Sequence, residues 1–481
     1  MEQASEALNE TNRRPPSRQP QMNVAMTAFL MTVLWWCSPA QQQAEAGLAY
    51  ALPQTEPDNR YKADILLIVA HPDDETAVGS YLAKAVIDDG KRIAVIYANR
   101  GEGGGNSIGD EQASSLGAIR EIEARRAVGS IGIHNVWFLN GRDTPGQDVF
   151  RSLQTWGHGS TLEQVVRLIR LARPEVILTW LPHFVAGENH GDHQAAGIIA
   201  TEAFDLAGDP TAYPSQVVPP REPTDISNVT EGLRVWQPKK IYYFSDASHP
   251  VEASGPPFDI GEISRQRRVP FYQIAAELQT YHRTQADVSE PAAQALRTGN
   301  FDSLRLWLQR FRLVFGKSVV PCRPTGDVFE GVTQGAAAFK RTRGYPIGTQ
   351  RGVAMELGGV FAFYRNFWHA HEIEHLASIV EPEIEIAVHS YLHIPLLLRN
   401  DTEDSVEVLL ESGVPAGWKE ASGSGRYRLG PFETRSVQTF FIAPPDPAGQ
   451  MEDIRWMARV GGNLLNTVVM KVKVSEWTLP Q

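Results

Sequence analysis

The sequence predicts an α/β protein: a doubly wound, mostly parallel sheet, followed by a mixed region and a C-terminal antiparallel β-sandwich. Three observations carry this reading. Short apolar runs of strand length recur between residues 65 and 180. Stretches of helical length with apolar residues at helical spacing separate them. Beyond about residue 383 the texture changes to short alternating runs punctuated by Pro, Gly and Asn.

Taken in order, Ile65 to Ala70 is a continuous apolar run, as a strand buried on both faces requires. A helix is expected over 76–89 and a second buried strand over Ile93 to Ala98. Glu111 to Gly129 has helical spacing and ends on glycine. Val136 to Leu139 reads as a third strand, Leu162 to Ala172 as a helix and Glu175 to Trp180 as a fourth strand. Strands alternating with helices imply a parallel sheet. Ligands of such sheets sit beyond the carboxyl ends of the strands. Residues 207–260 are rich in proline and turn residues, with one strand at Lys240 to Phe244. Helices are expected at about 270–284 and 291–313, and 320–380 has no single pattern. In the tail, Ile384 to Val388, Ser405 to Leu410, Ser436 to Ile442 and Val468 to Val474 read as strands of a small sandwich.

The 481 residues are too many for one ordinary domain. A net charge of −11 argues against a nucleic-acid-binding body. Near the N-terminus, Arg13, Arg14 and Arg18 precede an apolar run from Val24 to Cys37, and Ala44-Glu45-Ala46 follows. This order predicts a signal peptide over 1–46, hence a secreted or periplasmic protein, with an uncleaved N-terminal anchor as the alternative. The run falls short of the ~20 residues that span a bilayer, and no other segment is apolar enough, so no stable membrane span is expected in the mature chain. Cys37 and Cys322 cannot build a disulfide framework.

Chemistry concentrates in two places. His71-Pro72-Asp73-Asp74-Glu75 follows the first buried strand directly, and His190-Gly191-Asp192-His193 follows the fourth. Ionisable side chains at a sheet rim are costly to bury without a reason. His and Asp are ordinary zinc ligands, and both clusters lie on the same rim, where they can converge on one ion.

These two segments resemble the hallmarks of the PIG-L / LmbE-like N-acetylglucosaminyl deacetylase family, a His-Pro-Asp-Asp-Glu segment after the first strand and a His-x-Asp-His segment further on. The resemblance implies a Rossmann-like fold over 62–285 and a zinc-dependent deacetylation of an N-acetylated small-molecule or oligosaccharide substrate. It implies His71, Asp74 and His193 as metal ligands, Asp73 as general base, His190 as acid and oxyanion stabiliser, and Asp192 as the group that orients His190. Three protein ligands leave a position open, as a catalytic zinc requires; the same ligands also suit iron or another divalent ion. Arg100 and Glu102 look like the family's loop beside the site, Arg120 and Glu123 match an Arg-x-x-Glu helix pattern, and His282 and Gln285 resemble a late element that borders the substrate. The tail, with Leu398-Arg399-Asn400 and Gly413 to Trp418, resembles Ig-like modules of glycoside-active enzymes. The expected organisation is a leader at 1–46, a deacetylase domain at 62–285, a mixed helical extension at 286–380 and a sandwich at 383–481.

Two rival functions have sequence support. His371-Glu372-Ile373-Glu374-His375 fits H-E-x-x-H, the zinc motif of metalloproteases, which needs both histidines on one helix face. A carbohydrate-binding protein that kept the fold without catalysis is the other. Gly101 to Gly105 reads as a flexible loop, since it follows the second strand and lacks the full nucleotide-binding glycine pattern.

Overall fold

The computed structural model describes residues 58–184, 190–219, 229–245, 254–333, 352–379 and 383–476. The leader expected at 1–46 lies outside them. The first layer is a six-stranded sheet built from β1 (Ile65–Val69), β2 (Ile93–Tyr97), β3 (Asn135–Phe138), β4 (Val176–Trp180), β5 (Lys240–Phe244) and β6 (Val314–Ser318), in the order β3-β2-β1-β4-β5-β6. Neighbouring strands from β3 through β5 pair in parallel, and β6 closes the edge antiparallel to β5. β1, β2, β4 and β5 are buried along their whole length, which is why their sequences are apolar runs and not alternations. The order reverses direction between β1 and β4. At such a switch point the connections leave to opposite sides and open a crevice at the carboxyl ends.

The longer helices are α1 (Ala113–Gly129), α2 (Val149–Trp156), α3 (His158–Ala172), α4 (Gly191–Leu206), α5 (Phe271–Gln279), α6 (Ala286–Thr298), α7 (Asp302–Leu308) and α8 (Gly359–Ala370). The helix expected over 76–89 is a composite of a 3₁₀ turn at Asp74–Val78, an α-helical turn at Gly79–Ala83 and a π-helical turn at Lys84–Asp88. The single helix expected over 291–313 is two, α6 and α7, separated by Gly299 at φ 72.

α4 lies very close to β4. A Cβ at Gly197 would meet the carbonyl oxygen of Trp180 at 2.3 Å. Gly197→Ala is therefore expected to lower unfolding stability by about 1–3 kcal/mol, the usual cost of forcing packed elements apart. Urea denaturation with an unchanged slope would measure it.

The second layer pair is formed by β7 (Val353–Leu357), β8 (Glu383–Ala387), β9 (Tyr391–Asn400), β10 (Val406–Gly413), β11 (Lys419–Ser422), β12 (Gly425–Leu429), β13 (Thr434–Ile442), β14 (Glu452–Val460) and β15 (Asn463–Ser475). They make two sheets, β12-β10-β14-β15-β8 and β11-β13-β9-β7, around a core that includes Leu396, Leu398, Phe441 and Trp456. All pairs are antiparallel except β15 with β8. Within 286–380, β6 joins the first sheet and β7 the sandwich, so this extension is strand as well as helix. α8 packs back on the α/β body, with Tyr364, Phe367 and Trp368 in that body's core. Among the described residues no helix is long and apolar enough to cross a membrane.

Candidate metal centre

The carboxyl ends of four parallel strands supply the site. Beyond β1 the chain turns sharply through His71, Asp73 and Asp74. Asp73 sits at φ 121, a region that costs a non-glycine residue on the order of 1–3 kcal/mol and that clusters at functional sites. Asp74 is fixed by its Oδ2, which accepts the backbone N–H of Ala70 at 2.8 Å and of His71 at 3.0 Å, and the indole N–H of Trp180 at 2.7 Å. Its Oδ1 is thereby aimed at His193 Nε2, 3.2 Å away, and His71 Nδ1, 3.6 Å away. Two ligands each ~2.0–2.1 Å from a tetrahedral ion lie about 3.3 Å apart, so these spacings fit a shared cation.

From β4, Trp180 stacks on the His193 ring at 4.1 Å between centroids, 9° from parallel. Trp180 thus orients two of the three expected ligands, a role the sequence reading missed. His190 caps α4, and His193 and Asp192 lie in its first turn. His71, His190 and His193 each offer a nitrogen within 4.8 Å of the others. The two motifs, more than a hundred residues apart in the chain, meet at one point.

From β3 comes a residue that no motif announced. Asp143 Oδ1 lies 3.3 Å from His71 Nε2, and Asp192 Oδ2 lies at the same distance. His71, Asp143, His190 and Asp192 form a second group with ligand atoms within 4.8 Å of one another. The only sequence signal for Asp143 was its place beyond the carboxyl end of the third strand. Asp192 is held by Asn99 Nδ2 at 3.0 Å, by the Thr144 backbone N–H at 3.1 Å and by the Thr144 hydroxyl. Its contacts thus run to His71 and the loops around it.

The histidines and carboxylates of the cluster set one another's charge. Burial opposes protonation of His71, but Asp143, Asp192 and Asp74 hold its pKa well above the usual value. Against burial, His193 and His71 hold Asp74 well below the carboxylate range, and His71 in the same way brings Asp143 to about 2. His71 is thus a cationic partner to three carboxylates in a group of side chains that could hold a metal ion. Asp73 goes the other way: burial, then the negative charge of Asp74, pushes it up to about 7. His190 is lowered to about 4 by burial and by positive charge on His71 and His193. Asp74→Ala would strand three N–H donors, at about 1–3 kcal/mol each. That variant is expected to lose both metal and several kcal/mol of stability, whereas Asp74→Asn keeps an acceptor oxygen and loses chiefly the metal; thermal melts with metal analysis separate the two.

The remaining predicted residues have partners inside the protein. His282 is fully buried, its Nε2 2.6 Å from Glu75 Oε1. Glu75 Oε2 accepts from the Tyr97 hydroxyl at 2.8 Å and from the Asp73 backbone N–H at 3.1 Å. Gln285 donates to the Pro72 carbonyl at 2.7 Å. His282 and Gln285 therefore brace the first motif from behind, where the resemblance put them at the substrate. Arg100 pairs with Glu121 at 3.0 Å and donates to the Leu139 carbonyl, while Glu102 accepts the backbone N–H of Asp143 at 3.2 Å. Arg120 holds the carbonyls of Gly101 and Gly105, and Glu123 accepts from Thr284. The described cleft at the site, 480 Å³, is lined by Asp73, Asp74, Trp180 and His193 on one side and by α6, α7 and the turn after it on the other, including Asp287, Trp307, Arg310 and Phe311. Arg100, Glu102, His282 and Gln285 are not among its lining residues.

The protease motif does not form. α8 ends at Ala370, and Glu372 turns left-handed at φ 60 so that Ile373 and Leu376 enter the core. His371 Nδ1 faces Asp205 Oδ2 at 2.7 Å and His375 Nε2 faces the Phe315 carbonyl at 2.9 Å. The two imidazoles are committed to different partners and share no helix face.

Residues 66–204 match the family model described as PIG-L: GlcNAc-PI de-N-acetylase. The chain is similar to the 1D-myo-inositol 2-acetamido-2-deoxy-alpha-D-glucopyranoside deacetylase of Geodermatophilus obscurus, 30% identical over 165 residues, 31% of this chain and 55% of that protein. The same-named enzyme of Rhodococcus erythropolis is 32% identical over 183 residues, covering 35% of this chain and 61% of that protein. That of Streptomyces scabiei is 27% identical over 307 residues, 58% of this chain and 92% of that protein. The chain thus spans little more than half the length of the first of these relatives. Among solved structures, N,N'-diacetylchitobiose deacetylase from Pyrococcus horikoshii aligns at a TM-score of 0.37 and 18% identity over 57% of this chain and 92% of that one, a likeness too distant to argue from. The matched segment contains both halves of the histidine–carboxylate cluster, and residues 66–204 of this chain form a PIG-L domain.

Proposed function

We propose that the protein hydrolyses the N-acetyl group of an N-acetylglucosamine-containing sugar or glycoconjugate, giving acetate and a free amine, with zinc as its metal. One observation carries the reading: His71, Asp74 and His193 converge at the foot of an open cleft beside Asp73, a carboxyl pushed up to about 7. The relatives' names supply the substrate class, and the PIG-L domain supplies the reaction class. When bound, zinc acidifies water to a pKa of about 7 and polarises the amide carbonyl.

The chain's own residues do the rest. Asp73, which lines the cleft beside Asp74, takes a proton from the attacking water and can return it to the leaving nitrogen. His190 rests neutral, so its ring N–H serves the developing oxyanion better than it serves as proton donor. Asp143 and Asp192 each bring a carboxylate oxygen to 3.3 Å from His71 Nε2 and place negative charge behind that ring. Trp307 and Phe311 offer aromatic faces to the C–H side of a pyranose, and Asp287, Ser303 and Arg310 offer polar partners to its hydroxyls. Acetate release from a panel of N-acetylated glycosides by zinc-loaded protein tests the reading; no release from any of them would overturn it. From the residue order at the N-terminus alone, we also propose that the chain is exported and that 1–46 is removed. N-terminal sequencing of the exported protein checks that part.

A further inference from the structure

We propose that residues 359–376, far outside the PIG-L domain, act as a splint that positions the second histidine motif and so tunes metal binding. The proposal rests on the metal-centre reading above, but its test does not depend on deacetylation. α4 carries His193 in its first turn, and the splint grips both ends of that helix. At the N-terminal end, the Tyr364 hydroxyl donates to Gln194 Oε1 at 2.6 Å, directly beside His193 in the chain. Tyr364 is 1% exposed and Gln194 0%, so no water substitutes for this bond. Gln194 in turn donates to the Gln147 carbonyl at 3.4 Å, in the loop that carries Asp143 and Thr144. The Trp368 indole N–H donates to the Pro182 carbonyl at 3.0 Å, fixing the chain as it leaves β4 for the motif.

At the C-terminal end of α4, His371 Nδ1 meets Asp205 Oδ2 at 2.7 Å. The Lys317 ammonium joins the same Asp205 and also donates to the His371 carbonyl at 2.8 Å. Tyr364, Trp368 and His371 are spaced by four and three residues, which places them on one side of α8 and its continuation. The histidine that looked like half of a protease site is therefore an anchor. Because β7 leads into α8 and belongs to the sandwich, the sandwich is tied through this segment to the rim of the first sheet. Groups hydrogen-bonded to a metal ligand typically carry ten- to a hundredfold in metal affinity or activity. The splint acts one step further out, through the helix that carries His193, which puts its effect at the low end of that range. Displacement of a ligand by a fraction of an ångström is enough to cause it.

Tyr364→Phe removes one hydroxyl and keeps the ring packing; His371→Gln keeps a hydrogen-bonding side chain and removes the imidazole. Arg365→Ala serves as control, because Arg365 points away to Glu356 at 2.6 Å. The measurements are zinc affinity by chelator competition, the visible spectrum of the cobalt-substituted protein and the thermal midpoint of the metal-free protein. Tyr364→Phe is expected to bind zinc about tenfold more weakly and to shift the cobalt bands, with a near-wild-type midpoint. His371→Gln is expected to move affinity in the same direction, and Arg365→Ala to leave affinity and spectrum unchanged. Wild-type zinc affinity and cobalt spectrum in both splint variants would overturn the proposal, as would an equal loss in the control. Absence of acetate release from every sugar would sink the deacetylase reading alone.

Discussion

Asp73→Asn is expected to lower turnover by about two to four orders of magnitude, the usual contribution of a positioned general base, while the protein keeps its metal. The side chain lies among the residues lining the cleft, and its ligand neighbours His71 and Asp74 are untouched by the change. The pH dependence has a definite sign. The folded-state pKa is raised from 3.8 to about 7, so the stabilising contribution is fully present below about pH 4 and is lost as pH rises through about 7. Asparagine cannot ionise. The metal-free variant is therefore expected to melt higher than the metal-free wild type at pH 8 and to match it near pH 4. A variant with full activity, or one that has lost its metal, would refute the assignment. In the loaded protein the cation stabilises the carboxylate, so the acid limb of kcat/KM falls below the value near 7 that applies without it.

His193→Ala is the second large effect. It removes an imidazole 3.2 Å from Asp74 Oδ1 and the stacking partner of Trp180. Structural zinc sites bind with about 10–16 kcal/mol; on that scale the loss of one ligand in three is worth at least about a hundredfold in affinity. Metal analysis after dialysis is expected to show a stripped protein, and acetate release is expected to fall to background. Retention of stoichiometric metal would remove His193 from the ligand set. His282→Ala offers the contrast: it breaks the buried contact with Glu75 and acts first on stability, since His282 has no access to the cleft.

How much of this was legible beforehand follows from the physics of each segment. β1, β2, β4 and β5 could be read because strands covered on both faces must be continuously apolar, and the two histidine motifs could be placed because each follows such a run. Asp143 and Trp180 could not be read. Asp143 stands in a loop with no repeating pattern, and Trp180 passes for one more apolar residue at the end of a strand; only the sheet order reveals that Asp143 faces His71 and Trp180 faces His193. His282 and Gln285 were assigned to the substrate because local pattern does not show which way a side chain points. β9 was not among the expected strands; it carries Pro395, a residue ordinarily confined to edge strands, yet it pairs with both β13 and β7. The H-E-x-x-H stretch misled for a related reason: helical spacing predicts a shared face only while the helix lasts, and burial of Ile373 ends it.

The left-handed turn at Asp73 has a practical consequence for anyone who sets out to make this protein more robust. Glycine adopts that conformation without strain, so a search for thermostable variants will tend to select Asp73→Gly, and the hits will be sturdy and inert. Stabilising screens on this chain should therefore be run with a catalytic filter, or with position 73 held fixed.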